Sequence, residues 1–154
     1  MKITDFLSKS RVKINLQSRK KKDAIREIVD LVIHAGDVKK KARDEIIDAL
    51  FKREKVGSTG IGQGIAIPHA KSDKVENVIG AFGSSKEGIE FDALDGEPVH
   101  LIFLLIVPQE KAKLYLEALA KISRFLKDKF FRQALKEAKT PQEAMKTIEE
   151  EDRY

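Results

Sequence analysis

Within the run 53-REKVGSTGIGQGIAIPHAK-71 an arginine, two adjacent hydroxyls, a series of glycines and a histidine fall close together. Each of these residue types suits phosphoryl chemistry. Imidazole is a good phosphoryl acceptor near neutral pH, because much of it is unprotonated and one ring nitrogen can attack while a hydrogen bond holds the other. Arg53 offers a planar fork of donors that matches phosphate oxygens. Ser58 and Thr59 add hydroxyl donors, and glycines let backbone N–H groups approach an anion. Pro68 fixes its own backbone dihedral and drives Ile67 toward an extended conformation, so His69 leaves 65-IAIPH-69 in a restricted direction. Spacing alone leaves a second reading open: the glycines make an irregular turn that His69 caps, Arg53 ends a helix in solvent, and Ser58 and Thr59 bond within their own turn.

Better-known glycine motifs do not fit. Gly57 and Gly62 have P-loop spacing, but Gln63 stands where a lysine must neutralise phosphate charge. Gly60 and Gly62 are followed by Ile65 where a dinucleotide fingerprint needs its third glycine, and Ser58 is not in a G-x-S-x-G elbow. Of the other histidines, His34 falls near the end of a predicted helix, where the helix dipole explains it. His100 opens an extended run and, at about 3.3 Å per residue, lies roughly 23 Å from Val107, which makes it an edge or surface histidine. Dispersed histidines and the absence of cysteine argue against a metal site, a disulfide or a thiolate nucleophile, and no bound organic cofactor is implied.

Positioning His69 takes a scaffold, and 154 residues suffice for a single domain spanning 1–154. Hydrophobic residues at 42% and charged residues at 36% fit a folded chain. The run 13-KINL-16 reads as a short strand. Ser18 then caps a helix carrying Ile25, Ile28, Val29, Val32 and Ile33 at helical spacing, with Gly36 to stop it. Asp37 caps a second helix, with Ala42, Ile46, Ile47, Leu50 and Phe51 on one stripe. Extended stretches follow from Gly64 to Pro68, Asn77 to Ser84 and Val99 to Val107; the last is apolar on both faces and reads as a central covered strand ended by Pro108. Leu116, Leu119, Ala120 and Ile122 begin a helix, Phe131, Ala134 and Leu135 mark another, and 140-TPQE-143 is a capping box with proline at the first helical position. The order β-α-α-β-β-β-α-α-α predicts an α+β (mixed α/β) fold, a three-layer α/β/α sandwich with a mixed sheet.

At this point the residues resemble a known family. The segment from Arg53 to Lys71 is similar to the active-site segment of type-2 enzyme IIA domains of the bacterial sugar phosphotransferase system. It is most like the nitrogen-regulatory branch, and next like the fructose and mannitol branches. The resemblance extends to 91-FDALDGEPVHLIFLLIVP-108 and the helical tail, nearly the whole chain. It implies that His69 accepts a phosphoryl group from a histidine-containing phosphocarrier protein (HPr-like). Sugar-specific members pass it to an enzyme IIB cysteine, whereas regulatory use makes the phosphorylation state a signal to a target protein. Arg53 is then the electrostatic clamp for the charge on the peripheral oxygens, assisted by Ser58, Thr59 and nearby glycine N–H groups. Members of the family commonly carry a second active-site histidine within a segment resembling 113-KLYLEAL-119, where this chain has Tyr115. A phenol can donate a hydrogen bond to phosphate but cannot become a cation.

Other function classes fare worse. The formal net charge is +5, with basic runs at Lys20 to Lys22 and Lys39 to Lys41. These fall at helix beginnings without a recognition motif and with aromatics at only 6%, so solvated helix faces explain them better than nucleic-acid binding. The longest apolar run, 101-LIFLLIV-107, is too short to cross a bilayer and the first residues lack a secretory signal, so no membrane insertion and a cytoplasmic location are expected. Docking of partner proteins at His69 predicts a shallow site with an apolar rim.

Overall fold

The apolar run beginning at Val99 forms the spine of the molecule. In the computed structural model, which describes residues 1–153, it is strand β6 (Val99–Pro108). Side chains alternate across a strand, so Leu101, Phe103, Leu105 and Val107 enter one core while Ile102, Leu104 and Ile106 enter the other. The first core lies under α3 (Ala112–Phe125), α4 (Lys129–Glu137) and α5 (Pro141–Glu151), and the second under α1 (Lys21–His34) and α2 (Arg43–Val56). Each fully buried large side chain contributes on the order of 1.5–3 kcal/mol by leaving water. The ring pair Phe82 and Phe103, 4.8 Å between centroids, links β6 to its neighbour.

The sheet is mixed and open. Its order is β1 (Val12–Lys13), β5 (Ile79–Ile89), β6, β3 (Ile65–Ala66), β2 (Gly60–Gly62), with β4 (His69–Ser72) also beside β6. β5 runs antiparallel to β6, whereas β3 and β4 run parallel to it. Layering of helices on both faces of a mixed sheet is as the sequence predicts. No helix among the described residues is long and apolar enough to cross a membrane.

Several local expectations are corrected. The strand expected from Gly64 to Pro68 is shorter, β3 alone, because Pro68 has no N–H to continue the ladder; pairing with β6 resumes beyond it as β4. A further strand, β2, pairs back on β3, so six strands replace the expected four among the described residues. Ser18 does not cap α1: its hydroxyl donates to Glu27 at 2.7 Å, and the helix starts at Lys21, whose N–H donates to the Glu90 carbonyl at 2.9 Å. Asp37 likewise leaves α2 uncapped and pairs with Arg11 at 2.8 Å, while a 3-10 turn over Lys40–Ala42 leads into that helix. At Thr140 the expected cap is present, with the Glu143 N–H donating to the threonine oxygen at 3.1 Å and Pro141 at the first helical position.

Candidate functional site

His69 opens the short strand β4, aligned with Leu105 of β6 and reached by α2 from one face of the sheet and α3 from the other. The glycines upstream deliver the chain there. Gly62, Gln63 and Gly64 all have positive φ (102°, 58° and 77°), which makes the reversal between β2 and β3 tight. Gly60 packs so close to Ala93 that a Cβ would lie 2.9 Å from the Ala93 backbone. The glycine-rich run is thus mainly a hairpin and a close packing contact. Its amides are already engaged: Gly57 donates to the Glu54 carbonyl, Thr59 to the Glu54 carboxylate and Gly60 to the Ser58 hydroxyl.

The imidazole is held in one tautomer by partners that can play only one part. Nδ1 lies 2.7 Å from the Ile67 carbonyl, which only accepts, so Nδ1 carries the proton. On the other side Arg53 Nε donates to Nε2 at 3.2 Å, so Nε2 presents its lone pair. Arg53 is itself oriented by donation from Nη1 to the Gly57 carbonyl at 2.7 Å. Burial lowers the His69 pKa below the ordinary imidazole value; the Arg53 charge acts in the same direction, and the Ile67 carbonyl and Glu54 oppose it. Lowering keeps the ring neutral and nucleophilic at neutral pH. His69 is only 8% exposed, more enclosed than the shallow site expected, because it sits below the edge formed by Arg53 and Tyr115.

Beneath Arg53 lies a polar network that the sequence reading missed. Glu54 is buried and accepts from the Thr59 N–H at 3.0 Å, from the Thr59 hydroxyl and from Lys21 Nζ at 3.1 Å. Lys21 also donates to Ser58 Oγ at 3.4 Å and lies 5.0 Å from the Phe91 ring centroid. The Ser58 hydroxyl donates to the Phe91 carbonyl at 3.0 Å. Ser58 and Thr59 are therefore brought near Arg53 in sequence and space, but their hydroxyls are committed inward. Helical spacing held the signal for Glu54: it follows Ile47 and Leu50 at i+7 and i+4, on the buried stripe of α2, while Arg53 beside it is half-buried. The lysine run at 20–22 gave no such signal for Lys21.

On α3 the Tyr115 ring stands 5.4 Å from the His69 ring, tilted by 46°. Burial raises its phenol pKa, with Arg53 opposing, so the hydroxyl remains a donor. Lys71, two residues beyond His69 on β4, holds its ammonium 5.3 Å from the Tyr115 centroid. The next residue on α3, Leu116, is 64% exposed and gives this margin an apolar side chain. His34 is exposed in the last turn of α1, and His100 is half-buried near the start of β6, remote from His69.

Residues 5–151 match the model for the phosphoenolpyruvate-dependent sugar phosphotransferase system, EIIA 2. A fructose-specific EIIABC component of Bacillus subtilis is 39% identical over 153 residues; the match takes in 99% of this chain but only 24% of that protein. A nitrogen regulatory protein of Bradyrhizobium diazoefficiens is 34% identical over 142 residues, with 92% of this chain and 91% of that one covered. Among solved structures, nitrogen regulatory protein IIA-Ntr of Neisseria meningitidis superposes with a TM-score of 0.85 at 34% identity, covering 95% of this chain and 98% of its own.

Proposed function

This chain belongs to the EIIA 2 family of the phosphoenolpyruvate-dependent sugar phosphotransferase system, and from that premise we propose that His69 is its phosphorylation site. Nε2 attacks the phosphorus of a phosphohistidine on a histidine-containing phosphocarrier protein. The donor N–P bond breaks as the new one forms, and the donor imidazole leaves with the electron pair. Onward transfer is the same exchange in reverse geometry, with an enzyme IIB thiolate as nucleophile. Carrying the reading is the unprotonated Nε2, fixed toward Arg53 by the Ile67 carbonyl behind the ring. Arg53 neutralises charge on the peripheral oxygens, Tyr115 donates its hydroxyl to one of them, and Ser58 and Thr59 hold the turn that orients Arg53. The chain works as one domain in the cytoplasm.

Intact-protein mass after incubation with phosphoenolpyruvate, enzyme I and the phosphocarrier tests this directly. Gain of one acid-labile phosphoryl group is expected in the wild type and not in His69→Ala. Equal gain in both would place the chemistry elsewhere, and no gain with active upstream proteins would end the carrier reading.

Regulatory use is the second reading, favoured by Tyr115 beside His69 and by the nitrogen regulatory relative that this chain nearly spans. Here the phosphorylation state changes affinity for a target protein and no sugar receives the group. Loss of label to an enzyme IIB domain separates the first use from the second.

A further inference from the structure

A cleft opens at the other end of the sheet from His69. His100 lies five residues before Leu105, the partner of His69, so along β6 the two histidines are separated by roughly 17 Å. Around His100 the chain leaves a cleft of about 760 Å³, a volume within the roughly 300–1,000 Å³ typical of small-molecule sites. Four separate parts of the chain build it: the turn after β1, the irregular end of β5, the start of β6 and the end of α4.

The chemistry of its walls favours an anion. Lys86, Lys136 and Lys139 line it, and none of them is in an ion pair among the described residues. The one carboxylate in the lining, Glu137, accepts from Gln133 Nε2 at 2.9 Å along its own helix. His100 Nδ1 lies 2.8 Å from the Ser85 carbonyl and so carries the proton, which leaves Nε2 an acceptor without a protein partner, suited to a ligand hydroxyl and not to its acid group. Gly88, with φ at +95°, keeps that edge clear, since a Cβ there would lie 3.4 Å from Nε2.

Ser84 and Ser85 are 6% and 4% exposed, and each hydroxyl oxygen accepts a backbone N–H, from Asn15 at 3.3 Å and Gly88 at 3.0 Å. Both hydroxyl protons remain to be donated. Ile14 and Ala138 give the cleft an apolar portion.

We propose that this cleft binds a small organic anion, its phosphate or carboxylate held by Lys86, Lys136 and Lys139 and its body resting on Ile14 and the two serine hydroxyls. Amide NMR on the full chain tests it, with glycerol 3-phosphate, succinate, inorganic phosphate and uncharged glycerol as probes. Expected are saturable shifts at residues 84–88, 100 and 136–139 with glycerol 3-phosphate or succinate, whichever carries the preferred acid group, and none with glycerol. The double variant Lys86→Ala, Lys136→Ala should weaken binding at least tenfold, and the charge-matched Lys41→Ala, Lys127→Ala should not. Three results would each overturn the proposal: no saturation by any anion up to about 10 mM, shifts confined to residues 53–71, or equal weakening in the two double variants. Inorganic phosphate binding as tightly as both organic anions would mean a bare charge patch and would likewise overturn it.

Discussion

Replacing Arg53 tests the proposed mechanism where its magnitudes can be worked. In Arg53→Met the stem length is roughly kept while the donor 3.2 Å from Nε2 and the anchor on the Gly57 carbonyl are both lost. A preorganised charged donor aimed at developing charge in an enclosed site is worth about 2.7–4 kcal/mol. His69 is 8% exposed, so solvent replaces that donor poorly, and phosphoryl acceptance should slow by roughly 100- to 1,000-fold. A competing effect is the protonation of His69. Arg53 helps to hold its pKa down, so the variant should titrate higher. Even at the ordinary imidazole value of about 6.5, however, the ring is mostly neutral at about pH 7.5, and protonation alone costs less than about twofold in rate. Loss of the donor therefore dominates. Arg53→Lys keeps the charge but not the fork, and an intermediate loss of about tenfold is expected. Rapid-quench transfer from labelled phosphocarrier gives the rates, and NMR titration of His69 gives the pKa. A methionine variant within about threefold of wild type, or with an unmoved His69 titration, would refute the clamp role.

Glu54→Gln leaves Lys21 without its buried partner and should lower stability by about 2 kcal/mol, read as a fall in the urea midpoint, and should slow acceptance because the turn that orients Arg53 loosens. An unchanged midpoint would remove Glu54 from the supporting network. Glu27 has burial acting to raise its pKa, but Lys13 and the Gln17 and Ser18 donors outweigh this and hold it at about 2. Its folded pKa is below its unfolded one, so its contribution is full above the unfolded value near 4.5 and is lost as pH falls toward about 2. Glu27→Gln should therefore lose about 2 kcal/mol at neutral pH, after allowance for solvent screening, and flatten the acid limb of the stability curve. Tyr115→His should favour the phosphorylated form by about tenfold at about pH 6, where the new ring is cationic, and by little at about pH 8; equal effects at both would show that charge at this position is immaterial.

The periodic elements were legible because their physics is local. The two-faced run from Leu101 to Val107 needs no partner to be identified as a covered strand, and Thr140 with Pro141 sets a helix start through bonds within one turn. Ser18 and Asp37 misled for the opposite reason: both are good caps, but longer-range partners hold their side chains away from the helix start, Glu27 by accepting from the Ser18 hydroxyl and Arg11 by donating to Asp37. The site divides the same way. That Arg53 would meet His69 agrees with their residue types and the Ile67–Pro68 constraint, which by themselves left a turn-capping histidine equally open. Lys21 and Lys71 were not legible, since their places depend on α1 and α2 packing side by side and on α3 crossing β4, which no spacing in the sequence encodes.

A phosphoryl carrier has to accept its group readily and then surrender it, and the charges around His69 bear on both demands. The incoming group brings a charge of about −2. The ring, its Nδ1 still donating to the Ile67 carbonyl, takes on positive charge when Nε2 bonds phosphorus and offsets part of the phosphoryl charge, and Arg53 beside Nε2 is the contacting cation able to offset more. Lys21 is committed to Glu54, in the network beneath Arg53. Glu54 fixes the turn through Thr59, and its charge acts on His69 against that of Arg53. Tyr115 fits the same economy of charge, offering a donor without a permanent cation. In this reading the enclosure of His69 and the neutral partners around it keep the phosphorylated state available for transfer, while the single charged fork of Arg53 supplies most of the selectivity for the transition state.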